Sequence, residues 1–165
     1  MIRAIFLDVD GTLISFSTHE IPASARRALT QAHERGVRLF IATGRAANDL
    51  GPLEGIPYDG VVSLNGARCV ANDGRVVSLH PIPRADFERA LALSEEQDFA
   101  MGLELEEGVF VNRVTPDVKR VAHMVAHPVP EQTDLRELFG RVECCQLCFY
   151  FDAETQRRVM AELPT

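Results

Sequence analysis

The run Ile5-Phe6-Leu7-Asp8-Val9-Asp10-Gly11-Thr12-Leu13 constrains this chain more than any other stretch. It reads as a buried strand that runs out of apolar residues and ends in two carboxylates and a glycine turn. Residues two apart on an extended strand point to the same side, so Asp8 and Asp10 are expected to face one cleft. Two neighbouring carboxylates repel unless a cation or a shared proton relieves them, and a divalent ion is the expected remedy.

The next sixty-odd residues have the rhythm of an α/β fold. Ala25, Ala28, Leu29 and Ala32 recur at helical spacing, which predicts a helix from about Pro22 to Arg35 stopped by Gly36. Val37 to Ala42 is a second apolar strand, giving a β-α-β unit with parallel strands and a right-handed crossover. That strand ends in Thr43-Gly44-Arg45, with a short helix expected from about Ala46 to Leu53. Ligand clefts of open α/β sheets lie at the carboxyl ends of the strands, where both polar clusters fall. Thr43 offers a hydroxyl, Gly44 lets its N–H approach a ligand, and a helix N-terminus favours an anion, so a phosphate suits this surface. The plain alternative is a strand-to-helix turn in which Thr43 is only a cap. A third strand, Gly60 to Leu64, ends at Asn65-Gly66, with Asn65 either a third polar group of the cleft or a turn residue. Ala67 to Ala71 and Arg75 to Leu79 read as a hairpin, with Asp73-Gly74 pointing to a tight primed turn.

The pattern changes around His80-Pro81-Ile82-Pro83, which sets a domain boundary. Phe87, Ala90, Leu91 and Ser94 mark a helix from about Arg84 to Gln97, followed by a hairpin of Phe99 to Leu105 and Val109 to Arg113. A helix begins at Thr115-Pro116 and should turn Val118, Val121, Ala122 and Val125 inward. A short helix is expected within Thr133 to Phe139, a strand over Cys144 to Phe151, and a last helix from Ala153 to Leu163 capped by Asp152. This second order of elements describes a separate α+β lobe.

Several function classes fall away. A net charge of −7, with Lys119 the only lysine among 17 basic residues, argues against nucleic acid or anionic membrane as partner and favours small molecules. No apolar run approaches the ~20 residues of a membrane span, and Met1-Ile2-Arg3-Ala4 enters a strand with no signal-peptide core, so a cytoplasmic placement is expected. Cys145-Gln-Leu-Cys148 lies in a strand-like run without a second cysteine pair, so Cys69, Cys144, Cys145 and Cys148 read as buried thiols. His123 and His127, four apart on an expected helix, lack the glutamate of a zinc hydrolase and read as solvent-facing. A calcium loop fails because aligning Gly11 puts Phe6 and Ser17 where acids are needed. A phospho-accepting receiver would want its aspartate after the third strand, where Asn65 stands.

Phe6 to Leu13 followed by Ile41-Ala42-Thr43-Gly44-Arg45 closely resembles motifs I and II of the haloacid dehalogenase (HAD) superfamily. Leu64-Asn65-Gly66-Ala67 and the α+β insertion are similar to its Cof-type sugar-phosphatase branch, which carries a class IIB cap. The resemblance implies a Rossmann-like parallel-sheet core, incomplete here, over residues 1–80 and a partial α+β cap over 81–165. It implies an Mg2+-dependent phosphatase acting on a small phosphorylated metabolite, such as a sugar phosphate, through an aspartyl-phosphate. On this basis Asp8 is nucleophile and metal ligand, while Asp10 is general acid/base and binds the metal through its carbonyl. Thr43, Gly44 and Arg45 hold the phosphoryl group, and Asn65 lies near the substrate. Glu104, Glu106, Asn112 and Arg113 are candidate cap contacts.

The chain also departs from the family. The superfamily's lysine and Gly-Asp acidic cluster follow the cap in this branch; here Lys119 lies within the second lobe and no such cluster follows residue 80. The expectation is a truncated chain whose first strand forms a bare sheet edge, self-associates there as a homo-oligomer or borrows the missing half, binds Mg2+ weakly and turns over little phosphate. The alternative is a non-catalytic remnant that binds a phosphoryl ligand or a protein.

Overall fold

The computed structural model of the protein describes residues 2–15, 17–18, 20–125 and 127–162. It divides into two compact units, Met1–His80 and Pro81–Thr165.

In the first unit β1 (Ala4–Leu7), β2 (Arg38–Ala42) and β3 (Gly60–Ser63) run parallel, and β4 (Arg68–Ala71) and β5 (Val76–Leu79) continue the sheet antiparallel in the order β1-β2-β3-β4-β5. Helix α1 (Ala23–Glu34) supplies the crossover between β1 and β2, and Gly36 ends it at φ +83°. Leu29 is its buried residue, with Ala25 and Ala32 half-buried, while Ala28, expected on the same stripe, is exposed. Leu39 and Ile41 of β2 and Val61 of β3 join Val9, Leu13 and Ile14 of the loop after β1 in one apolar core. On β1, Phe6 is 62% exposed and stacks on Phe40 with ring centroids 4.9 Å apart. As the departures from the family pattern implied, β1 is a sheet edge among the described residues, paired with β2 alone.

Two local expectations for this unit are corrected. The segment after Thr43 forms turns and a single 3-10 turn, Gly51–Leu53, in place of a helix over Ala46–Leu53. Pro52 has no N–H to give to a preceding carbonyl and sits in the first turn of the 3-10 piece, where it can begin a helical turn but not continue one from Ala46. The β4–β5 hairpin is real, but its turn is not a primed one. Gly74 donates to the Ala71 carbonyl at 2.9 Å and has φ +83°, while neither Asn72 nor Asp73 adopts positive φ. This is the common turn closed by a left-handed glycine that three-residue hairpin loops use.

The second unit is an α+β lobe. Its sheet has the order β8-β7-β6-β9, from β6 (Ala100–Leu105), β7 (Gly108–Val111), β8 (Glu131–Gln132) and β9 (Gln146–Tyr150). Two-residue β8 pairs parallel to β7 and is too short to leave a signal in the sequence. Along β6 the side chains alternate. Met101, Leu103 and Leu105 pack with Phe87 and Leu91 of α2 (Arg84–Glu96) and with Leu135 and Phe139 of α4 (Leu135–Phe139). Ala100 packs with Val118 of α3 (Pro116–Met124) together with Val111 and Tyr150. Helix α3 stops at Met124, so Val125, expected inward, sits at the C-cap 51% exposed, and His127 falls outside the helix. Asp152 accepts the Thr155 N–H at 2.8 Å at the head of α5 (Ala153–Glu162), and the expected end at Leu163 lies outside the described residues.

Candidate active site

The loop after β1 is folded tightly by its own backbone. The Gly11 N–H donates to the Ile14 carbonyl at 2.8 Å, Ile14 N–H returns to the Val9 carbonyl at 2.8 Å, and Gly11 sits at φ +79°. Val9 is buried at 1% exposure, and its neighbours Asp8 and Asp10 are exposed on either side of it. The alternation expected of a strand thus persists one step beyond β1. The Thr12 hydroxyl donates to Asp8 Oδ2 at 2.8 Å, which ties the first carboxylate to the loop.

Because β1, β2 and β3 are parallel, their carboxyl ends lie on the same side of the sheet. That brings the second motif to the first. Arg45 Nε donates to Asp10 Oδ2 at 2.9 Å and Arg45 Nη2 to Asp10 Oδ1 at 2.8 Å, a two-pronged pair. Arg45 Nη1 donates to the Asp49 carbonyl at 3.2 Å and to Asp49 Oδ2 at 3.3 Å. Hydrogen bonding by Asp10 pushes the Arg45 pKa above its already high ordinary value, against the opposing effect of burial. Sequence reasoning missed Asp49. Its signal was the i,i+4 spacing from Arg45, which was absorbed into an expected helix that does not form.

The third strand contributes a strained loop. Leu64 (φ 49°) and Asn65 (φ 54°) both adopt left-handed backbone, and Gly66 follows at φ +96°. Asparagine tolerates this conformation, but a leucine there costs roughly 1–2 kcal/mol. The loop is held by Leu64 N–H to the Arg45 carbonyl and Asn65 N–H to the Thr43 carbonyl, each at 3.1 Å. The Asn65 amide lies against Gly44, where any Cβ would stand 3.1 Å from Asn65 Oδ1. Thr43 is 6% exposed, and its hydroxyl accepts the Arg45 N–H at 3.1 Å. Thr43, Gly44 and Asn65 are therefore together, and Arg45 is directed at Asp10.

Asp8 and Asp10 present the hard carboxylate oxygens that Mg2+ prefers. The donor type fits and the number does not: among the described residues no group of three or more His, Cys, Asp or Glu side chains could hold an ion. The candidate residues of the second unit are occupied by the fold. Asn112 Oδ1 accepts the Met101 N–H at 3.0 Å and Asn112 Nδ2 donates to Ser94 Oγ at 3.4 Å, so this side chain splices α2, β6 and the end of β7. Glu104 Oε2 accepts from Gln146 Nε2 at 2.5 Å across β6 and β9, and Arg113 Nη1 donates to Asp98 at 2.6 Å. Glu106 lies in the β6–β7 turn. Cys144 is buried and Cys145 and Cys148 half-buried; burial pushes the Cys148 thiol up to about 12 and the Cys144 thiol up to about 11, so both are protonated and inert near neutrality. No helix among the described residues is long and apolar enough to cross a membrane.

Three parallel strands, the first ending in an acid pair and the next two in a Thr-Gly-Arg turn and an Asn-Gly turn, give the first unit the core arrangement of a HAD-like fold. The family model for haloacid dehalogenase-like hydrolases matches residues 5–165, and the chain belongs to that family. Among solved structures, BT1666 from Bacteroides thetaiotaomicron, a phosphatase of the HAD superfamily, is 53% identical with a TM-score of 0.91 over 98% of this chain and 60% of its own. The HAD subclass IIB sugar phosphatase BT4131 is 29% identical with a TM-score of 0.83 over 99% of this chain and 64% of its own. The curated relative YkrA of Bacillus subtilis (strain 168) is 30% identical over 95 residues, 57% of this chain and 36% of that one. The chain thus spans less than two thirds of the length of these relatives.

Proposed function

We propose that this chain carries the nucleophile half of an Mg2+-dependent phosphatase site acting on a small phosphorylated metabolite, with sugar phosphates the first class to test. The observation that carries the reading is the acid pair Asp8 and Asp10 flanking buried Val9, with Asp10 gripped by the arginine of the second strand's end. An Asp8 oxygen attacks phosphorus, forming an aspartyl-phosphate as the bond to the leaving oxygen breaks and Asp10 gives that oxygen a proton. Water then attacks the same phosphorus, Asp10 takes its proton, and the Asp8 carboxylate is released with inorganic phosphate. Thr43, Gly44 and Asn65 hold the phosphoryl oxygens through hydroxyl, backbone and amide groups. Mg2+ would neutralise charge beside Asp8 and the Asp10 carbonyl, and the short donor set makes its binding weak. The similarity to the sugar phosphatase BT4131 supports the substrate class, and a cytoplasmic metabolite enzyme is the setting that reading suits.

Phosphate release from p-nitrophenyl phosphate and from a panel of sugar phosphates, measured with Mg2+ on the wild-type chain and on Asp8→Asn, tests the reading. Slow release abolished by Asp8→Asn supports it, and release that survives Asp8→Asn sinks it. The incomplete donor set favours a second reading, a phospholigand-binding domain without turnover; inorganic phosphate bound with no release from any substrate would select it. Sedimentation at increasing concentration reads whether the β1 edge joins copies of the chain, and a monomer at every concentration would exclude that.

A further inference from the structure

Arg45 has five N–H donors, and its hydrogen bonds commit four of them, two to Asp10 and two to Asp49. Its side chain is 21% exposed, against 42% for Asp10 and 38% for Asp49, so the guanidinium is the most enclosed member of a carboxylate-guanidinium-carboxylate row. A fork engaging both oxygens of a carboxylate fixes the plane of that carboxylate as well as its distance, which a single-point ammonium cannot do. The arginine needs fixing too, since its long stem is otherwise free to turn. The Asp49 carbonyl and carboxylate supply this by holding Nη1, the nitrogen that does not touch Asp10. The donor count adds a second argument: with four of its five N–H groups committed, the guanidinium has one left to offer a phosphate. The phosphoryl group therefore finds its donors at Thr43, Gly44 and Asn65.

Resting on the phosphatase reading, we propose that Arg45 and Asp49 are positioning residues for Asp10: Asp49 orients Arg45, Arg45 orients the Asp10 carboxylate, and Arg45 is not a phosphoryl ligand. Proton transfer demands that the acid sit within about 3 Å of the leaving oxygen, so loss of either partner scatters Asp10 without removing it. Asp49 lies far enough from the first motif in sequence that only the turn after Thr43 brings it into the row. An α-helix over Ala46–Leu53 would have placed the same spacing on a helix face.

The test uses the full chain and has two arms. In 15N-edited NMR, the Arg45 Nε–H signal, assigned by its loss in Arg45→Lys, is expected to be resolved and slowly exchanging in the wild type. Asp10→Asn and Asp49→Ala should each speed its exchange by about tenfold or more, as expected when a charge-assisted hydrogen bond is lost. An Nε–H indifferent to Asp10→Asn overturns the proposal. In the second arm, Asp49→Ala and Arg45→Lys are expected to lower kcat about tenfold with KM changed by no more than about twofold, the pattern of an interaction realised only in the transition state. A KM raised tenfold with kcat intact would make Arg45 a substrate ligand and also overturn it. Absence of turnover in the wild type would count against the phosphatase reading alone, because the NMR arm still decides the positioning row.

Discussion

The sheet of residues 1–80 buries Leu39, Ile41 and Val61 on one face and leaves Phe6 62% exposed, whereas the sheet of residues 81–165 packs helices on both faces. Both sheets mix parallel and antiparallel pairs, so strand direction alone does not decide which of them is covered on both faces. Each unit uses side chains both to bond one another and to satisfy backbone: Thr43 and Asp59 accept backbone N–H groups in the first, and Glu104 pairs with Gln146 in the second. The strand ends of the first unit concentrate the side-chain pairing. In the first unit Asp10, Arg45 and Asp49 bond side chain to side chain at the strand ends. In the second, Asn112, Thr115, Asp134 and Asp152 each satisfy a backbone N–H.

The contrast can be broken most forcefully in the second unit. Phe87 is fully buried and stacked on Phe139 with centroids 4.1 Å apart, so Phe87→Ala should lower unfolding stability by about 3–5 kcal/mol in urea melts. A loss below about 1 kcal/mol would mean this core is loose. Asn112→Ala strands the Met101 N–H and should cost about 1–3 kcal/mol while leaving kcat per folded molecule unchanged. A raised KM with stability intact would return Asn112 to the candidate substrate contacts. Asp59, 9% exposed, gives a pH readout in the first unit. Burial alone would raise its pKa, but the Leu39 N–H at 2.9 Å and the Arg38 guanidinium overcome it and hold the carboxyl below its ordinary 3.8. Its contribution is therefore complete above that value and lost as pH falls through the lower folded one. Asp59→Asn should make the acid-side fall in stability shallower, and an unchanged acid limb would dismiss the group. Phe6→Ser, at an exposed position, should shift stability by less than about 0.5 kcal/mol yet reduce binding of the dye ANS. A large destabilisation there would show that Phe6 is covered in solution.

Much of this is legible in sequence because periodicity and strand-end chemistry agree: the β-α-β unit, the acid pair after β1 and the Thr115 cap of α3 each emerge from residue type and spacing. The failures are local and have causes. The expected helix after Thr43 meets Gly51-Pro52, which the apolar spacing of Ala46, Ala47 and Leu50 conceals. Val125 continues the stripe of α3 in sequence, but the helix stops one residue earlier. Asp49 stays invisible because the sequence motif allots its partner, Arg45, to the ligand, and only the folded chain shows how a guanidinium divides its donors. Glu104 and Asn112 look like surface polar residues, and nothing in a single sequence reveals that each is spent on a neighbouring strand or helix.

The mixed character of the first sheet also sets an order in time. Strands β3, β4 and β5 are linked by short turns and can pair on the microsecond scale of hairpins, whereas β1 must wait for α1 to bring β2 back beside it and then gains hydrogen bonds on one side only. Pulsed hydrogen exchange during refolding should protect Cys69 and Ser78 before Ile5, whose N–H the register directs at β2, and the reverse order would refute this sequence of events. The strand that delivers Asp8 and Asp10 is then the last to settle, so the chemistry of the chain is assembled only after its scaffold exists.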